Sequence, residues 1–502
     1  MRLSLPPWRN LTRSCCSSGI FLCTMPHRHN NLDTSAPILR CEEGANSIDR
    51  DAFRKSITVL AAKVPSAKTG SVLKANAMKR MIMNLPKVRN VLPDPHGSEM
   101  QSRLVLLRVA DKDQLTPEAI EFLNAEGCEL LPHAVELDYT YWTVGSSLSF
   151  WLVSDKTICG PKDEILQAAL PQELCDESPT GFTVIGHIAH LNLNAEYLPY
   201  KHVIGQVILD KNTKVRTVIN KLGSIHSQFR FFDMELIAGE PDYLVEHHES
   251  DCRFTFDFSK VYWNSRLHTE HDRLVKLFVP TEGIIADVFA GVGPFAIPAA
   301  KNGCAVMGND LNPECARWLR QNVSDNQVTD NVRVFCEDGR EFIRTVVSKA
   351  FHEPFPPFTQ WTTRKKQAKE ERRLRDQVVL RGEKARSEPV PPAEHAPRNT
   401  ISHFVMNLPD SAIEFLNAFQ GVLSDVSGDL RAVYHTMPMI HCHCFTRYLE
   451  PAEAEADIIS RVVKSLGYVL EEDVSLHLVR SVAPNKDMYC ISFRLPRKVA
   501  FR

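Results

Sequence analysis

From about Leu274 to the C-terminus, short apolar runs alternate with helical segments, and few folds accept that order. Ile284–Phe289, Cys304–Asn309, Val332–Cys336 and His403–Met406 read as strands. The stretches opening at Pro294, Pro313, Arg340 and Ser411 read as the helices between them. A strand followed by a helix and another strand crosses over to pair in parallel, so the expectation is α/β: a Rossmann-like, doubly wound sheet with helices on both faces. A further strand is expected at Arg431–His435 and a helix over Ala452–Leu466. Leu476–Val482 and Asp487–Leu495, around Pro484-Asn485-Lys486, read as a terminal antiparallel hairpin.

Three other regions precede or interrupt this sheet. Residues 1–45 form a leader whose first acid is Asp33, with Arg2, Arg9, Arg13 and Arg28 before it. An Arg-bearing, acid-poor, Ser-rich start is the pattern of a mitochondrial transit peptide, and Met25 offers a second start that would remove most of it. Residues 46–176 read as an α/β domain suited to docking, with a strand at Leu104–Ala110 and a helix capped by Thr116, entered through Pro117 and stopped by Gly127. Residues 177–265 read as strand-rich: Thr183–His190 and His202–Leu209 are β-branched runs, and Arg253–Phe258 alternates to put Phe254, Phe256 and Phe258 on one face. The sheet domain then runs over 266–502, broken by a Pro-rich, charge-dense insertion at 351–399 that cannot bury enough apolar area to order itself.

Composition excludes some classes. Lys+Arg 59 against Asp+Glu 61 leaves a formal charge of −2, so a uniformly basic nucleic-acid coat is out, although local basic patches are not. The longest apolar stretch, Gly283–Ala300, carries Asp287, glycines and prolines and is a poor membrane span. Fourteen scattered Cys without a CxxC pair fit reduced thiols in the cytosol, nucleus or matrix.

The chemistry centres on Asp287-Val-Phe-Ala-Gly291-Val-Gly293-Pro-Phe295, a strand end followed by a tight turn into a helix. Asp310, 19 residues after Gly291, closes the next strand, where an acid suits a ribose diol. A nicotinamide cofactor and S-adenosylmethionine would both use such a turn. Position 296 is Ala where the dinucleotide pattern has its third Gly, so no pyrophosphate cradle is present. Asp287 can accept from a cationic amino end, and Glu337-Asp338-Gly339 after the third strand can accept from an adenine amino group. These features favour S-adenosylmethionine. Asn407-Leu408-Pro409-Asp410 follows the fourth strand, where an Asn carbonyl can hold a planar base.

With these motifs the chain resembles the archaeal and eukaryotic type of tRNA (guanine-37-N1)-methyltransferase. Val184-Ile-Gly-His-Ile-Ala-His-Leu-Asn-Leu193, Phe229-Arg230, Lys260-Val-Tyr-Trp-Asn-Ser-Arg266, the Asp287–Phe295 turn, Asp310-Leu311-Asn312-Pro313 and Asn407-Leu408-Pro409 carry the resemblance. It implies a class I S-adenosylmethionine-dependent methyltransferase with an RNA-binding middle domain, acting as a monomer on guanosine 37 beside the tRNA anticodon and so guarding the reading frame. The leader points to residence in the mitochondrial matrix, and a form started at Met25 to the nucleus and cytoplasm as well. N1 of neutral guanine carries a hydrogen, and losing it spreads negative charge onto O6, so the reaction asks for a base and a cation. Glu270 resembles the family's base and Arg230 its O6 partner, while Asn407 and Pro409 match the base-holding turn. His271, Asp287, Gly291, Gly293, Asp310, Leu311, Asp338, Gly339 and Asn407 are the expected cofactor contacts, and no metal is required.

Lys201, Lys211, Lys214, Arg216, Lys221, Arg230 and the basic insertion are candidate RNA contacts. His441-Cys442-His443-Cys444 alternates too tightly to supply a tetrahedral zinc site and reads as cleft-lining or buried. The rival readings are a nicotinamide-dependent oxidoreductase and an RNA-binding protein with an inactive methyltransferase fold.

Overall fold

The computed structural model describes residues 32–95, 102–142, 163–175, 181–223, 233–358, 397–424 and 433–502. The leader before residue 32, Phe229-Arg230, and 359–396 of the insertion lie outside them.

The chain divides into two compact units. The first comprises the described residues 32–41, 48–142 and 163–175. It contains β1 (Lys55–Pro65), α1 (Thr69–Lys74), β2 (Val91–Pro93), β3 (Ser102–Leu106), α2 (Pro117–Ala125), β4 (Glu129–Leu137) and α3 (Glu164–Ala169). The strands form an antiparallel sheet in the order β2-β3-β1-β4. Leu60, Ala62 and Val64 of β1 pack with Ala119 and Leu123 of α2. Thr116 caps α2 by accepting from the Ala119 N–H at 3.3 Å, and Gly127 leaves it at φ +68°. The strand expected at Leu104–Ala110 stops at Leu106, with one further bridge from Leu107 to Ile82.

The second unit holds everything described from residue 181 onward, with residues 42–47. It opens with β5 (Thr183–Ile185), β6 (Ile188–Leu191), α4 (Lys201–Lys211), β7 (Thr217–Leu222) and β8 (Asp233–Gly239), in a sheet ordered β5-β6-β7-β8. Two expectations are corrected here. Thr183–His190 is a hairpin broken at Gly186, where φ is +54°, rather than one strand. His202–Leu209 is helical: β6 and β7 are parallel, and parallel neighbours need a crossover. Val203, Ile204, Val207 and Ile208 are buried at helical spacing, which outweighs their β propensity. Gly205 lets the helix approach β8, since a Cβ there would lie 2.9 Å from Ile237 Cγ1 and 3.1 Å from Ala238 Cβ. Strands β9 (Leu244–Glu249) and β10 (Cys252–Asp257) form a hairpin whose two-residue turn has Ser250 and Asp251 at φ +50° and +59°. Phe254, Phe256 and Phe258 are buried, and the first two pack on Trp263.

The remaining elements are α5 (His268–Val275), β11 (Ile284–Asp287), α6 (Ala296–Lys301), β12 (Ala305–Asn309), α7 (Pro313–Asp325), β13 (Val332–Phe335), α8 (Gly339–His352), β14 (Ile401–Met406), a 3-10 helix (Ala412–Phe419), β15 (Met439–Thr446), α9 (Pro451–Leu466), β16 (Ser475–Ala483), β17 (Lys486–Arg494) and α10 (Arg497–Ala500). Their sheet runs β13-β12-β11-β14-β15-β17-β16, parallel through β15 and antiparallel over the last two strands. The fifth strand is Met439–Thr446, not Arg431–His435: Val433–His435 are outside any strand, and the apolar positions that pair with β17 begin at Met439. The segment from Ser411 is a 3-10 rather than an α-helix.

One core packs α8, the 3-10 helix and α9 on one sheet face. The other packs α5, α6, α7 and the β10 phenylalanines on the opposite face. The ends of the insertion are clasped: Phe355 and Arg398 exchange backbone hydrogen bonds of 2.8 and 3.1 Å, and Arg398 Nη1 donates to Gly303 O at 2.8 Å. No helix among the described residues is long and apolar enough to cross a membrane.

Candidate active site

In this strand order β11 and β14 lie side by side although the chain runs from β11 to β12, so the sheet reverses direction of growth between them. Loops at the carboxyl ends diverge there and leave a crevice. Asp287 ends β11 inside it. Its side chain is fully buried and neither oxygen completes a hydrogen bond within the described residues. Burial, reinforced by Asp310, pushes its pKa up to about 8, while the nearby Phe289 N–H works the other way. A buried carboxylate without donors is costly unless something else supplies them.

The turn after it is shaped by Gly291 and Gly293. Gly291 has φ +53° and a Cβ there would meet nothing within 4 Å, so open space lies over its backbone. Gly293 has φ +103°, and a Cβ would sit 2.7 Å from Leu319 Cδ1. Asp310, after β12, accepts from the Gly291 N–H at 2.8 Å and from the Asn312 N–H at 2.9 Å. Burial raises its pKa, partly offset by those two donors. The Cys315 thiol is a third partner, which leaves one of the carboxylate's four acceptor positions for a hydroxyl donor. Leu311 beside it is 42% exposed, an apolar side chain at the crevice rim.

Asn309, which the sequence reading passed over, ties three strand ends together. Its Nδ2 donates to Val288 O at 3.1 Å and Glu337 O at 3.0 Å, and its Oδ1 accepts from Glu337 N at 2.9 Å. Asp338 caps α8 through the Arg340 N–H at 2.8 Å. Gly339 is buried where a Cβ would lie 2.8 Å from Phe289 Cε1. Glu337 is taken by Lys349, at 2.7 and 2.8 Å, which leaves Asp338 as the exposed acid at this edge.

Across the crevice, Asn407 follows β14 with a buried Oδ1 that has no partner. Pro409 O accepts from Phe445 N at 3.0 Å and pins that turn to β15. Unpartnered acceptors on the ends of paired strands, open space over Gly291 and the Asp310 carboxylate fit a ligand with a cationic amino group and a ribose, as the expected S-adenosylmethionine has. Asp287, Gly291, Asp310 and Asn407 are thus gathered at one edge of the sheet.

Glu270 sits on α5 and is 2% exposed. Arg273, one turn along, donates to both its oxygens at 2.7 and 2.8 Å. His443 Nε2 donates to Oε1 at 2.8 Å. Burial pushes the Glu270 pKa up, but the Arg273 and His443 hydrogen bonds outweigh it and hold it at about 2. Burial opposes charge on His443, but the Cys490 side chain and Glu270 outweigh it and hold its pKa at about 10. The pair is therefore a carboxylate and an imidazolium. Phe295, at the end of the glycine turn, meets the rings of His271 at 4.7 Å and His443 at 6.0 Å, joining α5 to that turn. His271 Nδ1 is 2.6 Å from Glu249 Oε1, so one ring nitrogen is already committed.

The alternating His-Cys-His-Cys run splits as expected. Cys442 and Cys444 enter the core under α9, while His441 and His443 face the other side. Ligand-type atoms of Glu270, His443 and Cys490 lie within 4.8 Å of one another. Arg273 on the same carboxylate and the proton on His443 oppose a cation there. Arg273 carries no sequence signal beyond its i+3 spacing from Glu270, and His443, expected to line a cleft or be buried, is the second partner of that carboxylate. Among the candidate RNA contacts, Lys201 pairs with Glu235, and Arg216 with Asp242 at 3.0 Å. Burial, with Arg266 nearby, lowers the Lys221 pKa to about 8.

Residues 163–242 match the TYW2 N-terminal domain and residues 245–352 the TRM5/TYW2 methyltransferase domain. A Coprinopsis cinerea tRNA (guanine(37)-N(1))-methyltransferase is 54% identical over 480 residues, 95% of this chain and 99% of the relative. The Saccharomyces cerevisiae protein of that name is 36% identical over 548 residues, 99% of this chain and 100% of the relative. Among solved structures, Trm5b from Pyrococcus abyssi shares the fold at TM-score 0.50 and 22% identity, covering 87% of this chain and 99% of that one. The aTrm5 chain solved with tRNALeu does so at TM-score 0.51 and 16% identity, covering 87% and 100%.

Proposed function

This chain belongs to the tRNA (guanine(37)-N(1))-methyltransferase family, and on that premise we propose how its residues carry the reaction. The enzyme methylates guanosine 37 of tRNA with S-adenosylmethionine as cofactor. That cofactor supplies the methyl group as an electrophilic sulfonium substituent. Asp287 receives its amino end, Asp310 its ribose, and Asp338 with Gly339 its adenine, while Leu311 and His271 line the pocket. The reading rests above all on the unpartnered oxygens of Asp287.

Asn407 and the Pro409 turn hold the guanine edge, Glu270 takes the N1 proton, and Arg230 meets the charge that develops on O6. A carboxylate held at about 2 is a weak base toward resting guanine. Its strength rises when the incoming base displaces an Arg273 or His443 donor, because each donor favours the ionised form. N1 methylation removes a Watson–Crick donor next to the anticodon, which supports reading-frame maintenance. The protein acts as a monomer in the mitochondrial matrix, nucleus and cytoplasm. A fluorescent fusion lacking residues 1–24 should lose the mitochondrial signal, and retention would overturn the matrix assignment.

The test is methyl transfer from labelled cofactor to transcripts carrying G37 or A37, followed by nucleoside analysis. 1-Methylguanosine from G37 alone is expected. Cofactor bound without transfer to either would support the inactive RNA-binding reading.

The Asp287 assignment has a pH signature. In the free protein its pKa of about 8 leaves it mostly protonated at neutral pH, and a cationic amino group binds the ionised form. Cofactor affinity should therefore rise from about pH 6 to about pH 7.5, until the ammonium itself begins to titrate. Asp287→Asn should weaken binding and flatten that rise. A pH-independent dissociation constant over this range in the unaltered protein would refute the assignment.

A further inference from the structure

Methylating neutral guanine releases one proton per turnover. The N1–H bond breaks, the N1–C bond forms, the S–C electron pair stays on sulfur, and the proton must reach water. Glu270 is 2% exposed, so it cannot hand the proton to solvent directly. Two histidines face it. His443 is fully buried and hydrogen-bonded at 2.8 Å; as an imidazolium it has no site for a further proton. His477 on β16 is different. Its Nε2 lies 3.7 Å from Glu270 Oε2, and its side chain is 49% exposed.

We propose that His477 carries the N1 proton from Glu270 to bulk water, while His443 and Arg273 are positioning residues that return to the carboxylate after each transfer. This rests on the reading of Glu270 as the base. The sheet places the shuttle: β16 pairs with β17 so that His477 lies opposite Cys490, and Cys490 lies opposite His443 on β15. His477 therefore faces the carboxylate from the edge strand of the sheet, with one ring side in water. The charged and titratable groups around it are Glu270 and Arg273 of α5, His443 of β15 and Cys490 of β17. Burial first, then Arg273, lowers its pKa; Glu270 pulls the other way and His443 adds to the lowering. His477 is thus neutral at pH 7 and open to a proton. Once Arg273 and His443 are both back on Glu270 they favour its ionised form, which drives the proton outward to His477 and water. A small ring rotation closes 3.7 Å to hydrogen-bonding distance.

The test is multiple-turnover methyl transfer by the full chain at saturating tRNA and cofactor, since a first turnover needs only an ionised Glu270. His477→Gln should slow the step about tenfold, leave both affinities unchanged, and regain rate as imidazole is added to the buffer. Because His477 is exposed, His477→Gln should fold normally, and a melting curve checks this. Unaltered rates in His477→Gln, or a loss that imidazole does not relieve, would overturn the shuttle. Glu270→Gln is the companion measurement. If it is slow and not relieved by imidazole while His477→Gln is normal, only the shuttle fails. If it is as fast as the unaltered enzyme, the base assignment and the shuttle fail together.

Discussion

Glu270→Gln is expected to slow single-turnover methyl transfer about 10²–10⁴-fold, the range for losing a positioned general base. That is about 3–5 kcal/mol of barrier. Cofactor and tRNA binding should persist, because the amide keeps the shape of the carboxylate. The variant also removes the partner of a buried imidazolium, so His443 should shed its proton and some stability should be lost. Glu270→Asp separates the two effects, since it keeps the charge but withdraws it by one methylene. It should melt close to the unaltered enzyme and react at an intermediate rate. A Glu270→Gln enzyme that binds cofactor normally and reacts at full rate would remove Glu270 from the chemistry.

The same pair sets a stability window. Glu270 falls from 4.5 to about 2 on folding, so its contribution is complete above pH 4.5 and lost as pH falls through about 2. His443 rises from 6.5 to about 10, so its contribution is complete below pH 6.5 and lost as pH rises through about 10.

Asn309→Leu should be the most destabilising change at the site. It keeps the volume but strips partners from Val288 O, Glu337 O and Glu337 N together. Leaving buried backbone groups unpaired costs about 1–3 kcal/mol each, about 3–9 kcal/mol for three, and the lower part, about 3–5 kcal/mol, is expected because the two Glu337 bonds are only partly buried. Chemical unfolding would show it as a lowered midpoint at unchanged slope. Cofactor affinity should fall with it, because the ends of β11, β12 and β13 carry Asp287, Asp310 and Asp338. A midpoint shift under about 0.5 kcal/mol, the range of neutral surface changes, would show that Asn309 ties nothing together.

The parallel half of the fold was legible because two periodicities coincide there. Buried strands such as Ile284–Asp287 are apolar up to their last residue, and the helices that follow open with Pro313 or an acidic cap such as Asp338. The middle region misled for a local reason: His202–Leu209 has strand-like composition, and only the parallel pairing of β6 with β7, unseen in the sequence, demands a helix. Likewise Asp287, Gly291 and Asp310 could be picked out because turn chemistry marks them within a short span. Glu270 could be found only through resemblance, and its partner His443 lies 173 residues away. No spacing rule connects positions on a helix and on a strand that come together only when the sheet forms. His477 and Asn309 escaped for the same reason: each matters through what folding brings beside it.

The clasp between Phe355 and Arg398 also says what the sheet can ignore. With both ends held by backbone pairing and by Arg398 on Gly303 O, strand β14 enters the sheet from a fixed point whatever joins the two sides. Loop-closure entropy grows only with the logarithm of length, about 0.6 kcal/mol for each doubling. In engineering terms the clasp is a port: a fluorophore-bearing peptide or an affinity handle can be spliced between its jaws while β14 keeps its place in the sheet.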